Sequence, residues 1–95
     1  MIPEVVAVEA LEDQRLHVTF ADGRAGDIGL RDVVALTGVF APLVDPELFR
    51  RVYVDHDLGT VAWPGGVDID PVALYASITG QTPLQIIAAE QRIRR

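Results

Sequence analysis

The chain has 95 residues, a formal net charge of −6 at pH 7 and no cysteine. A second domain would have too little sequence to bury a core, so this length predicts one. The lack of cysteine excludes disulfides, thiol chemistry and cysteine-ligated zinc or iron–sulfur clusters. The acidic balance disfavours nonspecific binding to nucleic acid or anionic lipid, because a phosphate-binding surface is basic.

The positive charges are all arginine. A P-loop lysine and a Schiff-base lysine are therefore both excluded. No apolar run approaches the roughly 20 residues of a membrane span, and the N-terminus lacks a basic region followed by an apolar stretch. We therefore expect a cytoplasmic protein that does not bind membranes.

The first third of the chain predicts three strands. A short apolar run over residues 3–11 is typical of a strand that is central or covered on both faces. Apolar and polar residues alternate over 15–20, as in a strand with one buried face. Asp22-Gly23 follows directly and is a strong hairpin signal. Two glycines interrupt the third strand, residues 24–30, which favours an edge position or a bulge.

The middle of the chain predicts two short helices and two more strands. Residues 31–36 have apolar side chains at helical spacing before Gly38, which favours a helix end. Asp45-Pro46-Glu47 is an N-cap, an N1 proline and a first-turn acid, and it predicts a helix of one or two turns. Val52 and Val54 then alternate with Arg51, Tyr53 and Asp55, which predicts a fourth strand, and residues 60–63 form the predicted fifth strand.

The only tryptophan opens the stretch around which the chain is organised, where a strand ends, the backbone turns and a helix begins. Trp63 is interpreted either as a core residue whose indole N–H meets a backbone carbonyl or as an anchor in a partner's pocket, and the structural role is favoured. The residues assigned to this structural turn are Trp63, Pro64, Gly65, Gly66, Asp68, Asp70 and Pro71.

Two helices are predicted after this turn. The first runs over residues 71–79 and ends at Gly80, and the second begins at Pro83 and continues almost to the C-terminus. The expected organisation is a single α+β domain over 1–80, with a small antiparallel sheet of about five strands and two or three short helices, followed by an amphipathic helix over 81–95.

The last helix carries two apolar stripes, although docking on its own domain needs only one. Leu84, Ile87 and Ala88 form one stripe, and Ile86, Ala89 and Ile93 form the other. Because monomers normally avoid exposing such a strip, Ile86, Ala89 and Ile93 are predicted to bind a partner chain or to fold back on the preceding helix.

Three groups of polar residues suggest chemistry, and each has a simpler structural interpretation. Asp55-His56-Asp57 resembles a set of metal ligands but also a solvated loop between strands. The pair Asp68 and Asp70 suggests Mg²⁺, yet one is the expected helix cap and the other braces the glycine turn.

The third group concerns the only serine, Ser77, which would need His17 or His56 and an acid to act as a nucleophile. It lies in a predicted helix without a nucleophile-elbow sequence. His17 is expected on the outer face of its strand. We predict no catalytic residue, no metal and no cofactor.

The order of motifs resembles a small bacterial family of uncharacterised proteins, domain of unknown function twenty-four forty-two. The resemblance covers about residues 3–78. The matching residues are Phe20-Ala21-Asp22-Gly23, Phe40-Ala41-Pro42-Leu43, Phe49, Val52, Val54, Gly59-Thr60-Val61, Trp63-Pro64, Gly66, Asp68-Ile69-Asp70-Pro71 and Leu74-Tyr75. One departure is Gly65, where the family usually has asparagine, so the amide of that side chain is missing here.

The resemblance implies a small α+β domain with an antiparallel sheet. Family members stand alone or precede a helix-turn-helix module, and standalone genes often lie beside a small toxin-like gene, which implies an antitoxin or partner-binding role. No catalytic residue is established for the family. Residues 81–95 lie outside the shared pattern and are too short for a helix-turn-helix.

The first hypothesis is therefore a non-enzymatic binding module that pairs with a partner protein, such as a toxin, or with itself through the C-terminal helix. The alternative is a transcriptional regulator, in which Arg50 and Arg51 join Arg92, Arg94 and Arg95 in a phosphate-facing patch. A third, enzymatic hypothesis would depend on Asp55, His56, Asp57 and Asp68.

Overall fold

The computed structural model describes residues 2–80, and within that range the fold is α+β. Two 3₁₀ segments, Glu12–Gln14 and Gly38–Val44, connect the regular elements. In chain order the regular elements are β1 (Val5–Ala10), β2 (Arg15–Phe20), β3 (Ala25–Gly29), α1 (Leu30–Val33), α2 (Pro46–Phe49), β4 (Tyr53–Asp55), β5 (Thr60–Trp63), β6 (Val67–Asp68) and α3 (Pro71–Thr79).

The strands form two antiparallel sheets of three, in the orders β1-β2-β3 and β4-β5-β6. The predicted α+β class with antiparallel strands is confirmed, although the expected single sheet is divided into two. The additional strand, β6, pairs with Ala62 and Trp63 directly after the glycine turn. A two-residue strand has no alternation to detect, so the sequence pattern did not indicate it.

The expectation that the first strand is central or covered on both faces was wrong. β1 is an edge strand, and Val6 and Ala7 are exposed. The register with β2 shifts between Val5 and Ala7, which is a β-bulge. A bulge bends the strand. On the far side of the bulge, the Val5 N–H donates to the carbonyl of Gly59 at 3.1 Å, next to the second sheet.

One hydrophobic core joins the two sheets and the helices. The buried face of β2 supplies its centre, as the alternation predicted, because Leu16, Val18 and Phe20 are buried. Helix α3 packs against β3, where Ile78 Cγ1 lies 3.5 Å from the point that a Cβ on residue 26 would occupy. The largest fully buried side chains are Trp63, Phe20, Leu16, Ile28, Leu30, Leu43, Ile69, Leu74, Val5, Val18 and Val61.

The short helices differ in how well they were predicted. Both predicted Asp-Pro starts are present, since Asp45 caps α2 and Asp70 caps α3, and Gly80 ends α3 in the left-handed conformation. Helix α1 instead stops at Val33, short of the predicted end. Gly38 does not end a helix but begins a 3₁₀ segment with a φ of 58°.

The helix predicted from Pro83, and the 81–95 unit that contains it, lie outside the described residues. Among residues 2–80 no helix is long and apolar enough to cross a membrane.

Candidate functional site

Trp63, at the start of the structural turn, lies fully inside the protein. Its side chain is 0% exposed, and its indole Nε1–H donates to the carbonyl oxygen of Phe49 at 2.9 Å. The Phe49 ring lies beside it, with the ring centroids 6.1 Å apart. Trp63 therefore ties β5 to the end of α2, and its buried ring is not available to a partner in this conformation.

The remaining residues of the turn serve the backbone. Gly65 and Gly66 have φ values of 99° and 85°, which side-chain-bearing residues rarely adopt. The Asp70 carboxylate accepts the Val72 N–H at 2.9 Å and so caps α3. Asp70 therefore has the predicted role of helix cap. Asp68 is exposed and makes no hydrogen bond within residues 2–80.

The other polar candidates also make local contacts. The carboxylate of Asp55 accepts the backbone N–H groups of Asp57 and Leu58, at 3.0 and 3.1 Å, and so shapes the loop after β4. His17 contacts Asp27 on the neighbouring strand at 2.8 Å, and Ser77 is exposed on α3. In the part of the chain that the structure describes, no group of three or more acidic or histidine side chains can hold a metal ion.

A polar cluster that sequence reasoning missed links the β2–β3 hairpin to α3. The Tyr75 hydroxyl donates to Asp22 Oδ2 at 2.8 Å and accepts from the Arg24 guanidinium at 2.6 Å. The guanidinium also donates to Asp22 at 2.8 Å, and the Phe20 ring packs edge-on against Tyr75 at 4.9 Å. The three polar side chains satisfy one another, so this cluster fastens α3 to the hairpin.

The contacts of this cluster lower the pKa of Asp22 and raise the pKa of Tyr75. The Arg24 backbone N–H, with the Tyr75 hydroxyl and the guanidinium, holds the pKa of Asp22 below its usual value. Burial, followed by the hydrogen bond to Asp22, raises the pKa of Tyr75. The cluster is therefore most stable with Asp22 ionised and Tyr75 neutral, which is the state near neutral pH.

A groove lies between the first 3₁₀ turn and helix α2, within the described residues. Its volume is about 960 Å³. The groove combines apolar and charged walls: its lining residues are Ala10, Leu11, Glu12, Asp13, Gln14, Arg31, Val44, Pro46, Phe49 and Arg50. We refer to it below as the α2 groove.

One wall of the α2 groove is held in an unusual backbone conformation. Asp13 and Gln14 both have left-handed backbones, with φ values of 59° and 58°. Non-glycine residues in that region cost free energy, and in proteins they concentrate at functional sites. The Gln14 amide donates to the Leu43 carbonyl at 2.9 Å, while Arg31 Nε donates to the Gln14 side-chain oxygen at 3.2 Å. Gln14 therefore fixes the wall by linking three segments of chain.

The charges around the α2 groove are balanced and open to solvent. Glu12, Asp13, Arg31 and Arg50 are all exposed. None of the four forms an ion pair within the described range, although Arg31 Nε donates to the Gln14 side chain. The sequence predicted only a polar turn at 12–14, because the opposite wall comes from residues some 30 positions later.

The residues predicted to bind a partner, Ile86, Ala89 and Ile93, lie outside the described residues. So do Arg92, Arg94 and Arg95 of the predicted phosphate-facing patch. The structure places the remaining two members of that patch, Arg50 and Arg51, next to each other and exposed after α2.

Within residues 2–80, these features define a small two-sheet α+β domain in which many polar side chains make contacts within the fold and whose surface carries a groove lined by apolar and charged residues. The chain belongs to the family described as protein of unknown function (DUF2442), whose model matches residues 5–80. Comparison with curated proteins and with solved structures gave no significant match.

Proposed function

We propose that the protein is a non-enzymatic module of the cytoplasm that binds a protein partner. The α2 groove carries this proposal: apolar residues such as Val44 and charged residues such as Glu12 and Arg50 line it together, and Gln14 links the chain segments beside it. Protein interfaces combine these features, an apolar centre within a polar rim.

The arrangement of the polar side chains supports a binding role over a catalytic one. Asp22, Arg24 and Tyr75 are joined to one another, and Asp55 and Asp70 accept backbone N–H groups. A general base or nucleophile instead needs an oxygen or nitrogen that is free to meet a substrate. Of the four residues in the enzymatic hypothesis, Asp55 is engaged in this way, whereas His56, Asp57 and Asp68 are exposed; we favour the binding role.

The proposed partner is a small toxin, as the resemblance implies, or a second copy of the chain, as the predicted apolar stripe allows. The contact surfaces proposed for it are the α2 groove and the predicted apolar stripe of Ile86, Ala89 and Ile93. Burying these aliphatic side chains against a partner removes apolar surface from water, which favours association.

The test compares the full-length protein with the double variant I86A/I93A. We expect the variant to capture the product of a neighbouring toxin-like gene at least about tenfold less tightly, or to dissociate in light scattering if the partner is a second copy. The matched control is V6A/V39A, because Val6 and Val39 are exposed apolar residues of the described domain. Unchanged capture and unchanged mass in I86A/I93A would reject the proposal.

Transcriptional regulation is the second candidate, and one observation favours it. Arg50 and Arg51 are adjacent and exposed after α2, and three more arginines stand at positions 92, 94 and 95. The overall charge argues against this function. Fourteen acidic residues outnumber eight arginines, so the protein as a whole repels the phosphates of nucleic acid.

A further inference from the structure

We propose that Asp22-Gly23, at the tip of the β2–β3 hairpin, is a site of spontaneous isoaspartate formation that helix α3 holds closed through Tyr75. The chain contains no asparagine, and this is its only Asp-Gly pair. Aspartate followed by glycine is the pair that forms isoaspartate most readily, because glycine has no side chain to keep its backbone nitrogen away from the aspartate carboxyl. The residues that make this turn are therefore also its chemically weakest point.

The reaction joins two neighbouring groups of the turn. The Gly23 backbone nitrogen attacks Cγ of Asp22, so that an N–C bond forms and one C–O bond of the protonated carboxyl breaks. The amide proton and the carboxyl hydroxyl leave together as water, and the product is a five-membered succinimide. A water molecule then opens this ring: attack at the Cγ carbonyl restores aspartate, and attack at the backbone carbonyl leaves isoaspartate, whose chain runs through Cγ.

In the folded protein both reacting groups are already held by other partners. The Gly23 N–H donates to the Phe20 carbonyl at 3.0 Å. Asp22 Oδ1 accepts the Arg24 backbone N–H at 2.9 Å, and Oδ2 accepts from the Arg24 guanidinium and from the Tyr75 hydroxyl, each at 2.8 Å. Turning the carboxyl toward the Gly23 nitrogen breaks these bonds, and each bond that must be broken slows the reaction.

The same contacts keep the carboxyl in its unreactive form. Only a protonated carboxyl can lose an oxygen as water, because an ionised carboxylate has no such leaving group. The Arg24 backbone N–H, with the Tyr75 hydroxyl and the Arg24 guanidinium, holds the pKa of Asp22 below its usual value. A lower pKa means a smaller protonated fraction at neutral pH, and therefore a slower reaction.

Tyr75 makes this local chemistry depend on the tertiary structure. Arg24 lies two residues from Asp22 and stays near it whenever the hairpin is formed, whereas Tyr75 lies 53 positions away on α3. The Tyr75 ring is buried against Phe20, with the ring centroids 4.9 Å apart. The hydroxyl therefore leaves Asp22 only when α3 moves away from the hairpin, and the rate of isoaspartate formation measures how often that local opening occurs.

The product of the reaction cannot restore the polar cluster. Isoaspartate places an extra carbon in the backbone and carries its free carboxylate directly on Cα, so the side chain that Tyr75 and Arg24 contact no longer exists. A transient opening of α3 is thus converted into a permanent loss of its attachment to the hairpin.

The test measures isoaspartate at residue 22 in the full-length protein kept at neutral pH. Trypsin cleaves after Arg15 and Arg24, so it releases the site in one peptide, residues 16–24, whose aspartate and isoaspartate forms have equal mass and separate by chromatography. Y75F removes the hydroxyl and keeps the ring, and we expect it to form isoaspartate at least about tenfold faster than wild type. The matched control is Y53F, since Tyr53 is 45% exposed and lies on β4, and it is expected to react at the wild-type rate.

A second control separates loss of the Tyr75 contact from general destabilisation. W63F removes a buried hydrogen bond to Phe49 and weakens the whole fold, but it leaves every contact of Asp22 in place. Its rate is therefore expected to stay within about twofold of wild type. If W63F reacts as fast as Y75F, overall unfolding governs the reaction and the proposal is wrong. An unchanged rate in Y75F would likewise overturn it.

A synthetic peptide of residues 16–24 keeps the proposal testable if Y75F does not fold, because it contains the Asp-Gly pair without α3. We expect the peptide to react at least about tenfold faster than the folded wild-type protein, and equal rates would show that the fold gives no protection. None of these measurements needs a partner protein, so the result obtained with I86A/I93A bears on the binding function alone.

Discussion

At the scale of single residues, Trp63 shows how one side chain joins distant parts of a small fold. It supplies the largest buried side chain, contacts the Phe49 ring, and donates its only polar hydrogen to the Phe49 carbonyl. Tryptophan at this position therefore provides both packing volume and a hydrogen bond. Phenylalanine would fill only part of the volume and could not donate the hydrogen bond.

We expect W63F to lower the free energy of unfolding by about 2–3 kcal/mol, from the cavity left behind and the lost hydrogen bond. Urea denaturation followed by circular dichroism measures this. Y53F is the aromatic control, because Tyr53 is 45% exposed, and it is expected to change stability by less than about 0.5 kcal/mol. Equal effects of the two substitutions would contradict the assigned role.

Asp22 is expected to make the stability of the fold depend on pH in the acid range. Because contacts with Arg24 and Tyr75 lower the pKa of folded Asp22, the unfolded chain takes up that proton first as the pH falls. The contribution of Asp22 is thus present above its unfolded pKa of about 3.8 and is lost as the pH falls through the lower, folded value. D22N should be less stable than wild type at pH 7 and should lose less stability below pH 4.

Urea midpoints between pH 2.5 and 7 test this prediction. D68N is the control, since Asp68 is exposed and makes no hydrogen bond within residues 2–80. If the stability of D22N depends on pH in the same way as that of wild type, the ionised carboxylate of Asp22 does not stabilise the fold through its contacts with Arg24 and Tyr75.

At the scale of elements, the short 3₁₀ turn at 12–14 forms one side of the α2 groove. Two consecutive left-handed residues turn the chain from β1 into β2 and place Gln14 where it reaches the Leu43 carbonyl. The same turn carries the carboxylates of Glu12 and Asp13 to the rim. The shape of the groove thus depends on local backbone geometry as much as on packing.

The left-handed conformation of Asp13 gives an element-scale prediction. D13G is expected to leave the free energy of unfolding within about 0.5 kcal/mol of wild type, because glycine adopts a positive φ without strain. D13V is expected to lower it by about 1–2 kcal/mol, since a β-branched side chain is strongly disfavoured there. Urea denaturation of both variants provides the comparison, and an equally stable D13V would mean that the turn is not left-handed.

At the scale of the whole molecule, charge separates the two candidate functions. The net charge is −6, and the exposed arginine pair after α2 stands on an acidic domain. Electrostatic attraction supplies most nonspecific affinity for nucleic acid, so a molecule of this charge is a poor nonspecific binder.

We therefore expect no retardation of a random DNA duplex in a gel-shift assay at about 150 mM salt. Operator-like DNA from upstream of the gene serves as the second probe. Retardation that weakens as salt is raised, and that is lost in R50A/R51A, would favour the regulatory function over the binding module.

Sequence alone determined the hairpin at Asp22-Gly23, the Asp-Pro helix starts and the α+β class, because turn residues, caps and alternation act through neighbours in the chain. It also determined the family and the exclusion of thiol and lysine chemistry.

Only the tertiary structure decided that the strands form two sheets, that β1 is an edge strand, and that Tyr75 fastens α3 to the hairpin. It also decided that residues 10–14 and 44–50 enclose a groove. Each of these features joins segments far apart in sequence, and their contacts depend on how the core packs. Local propensity cannot encode them, because it contains no information about which distant residues will meet.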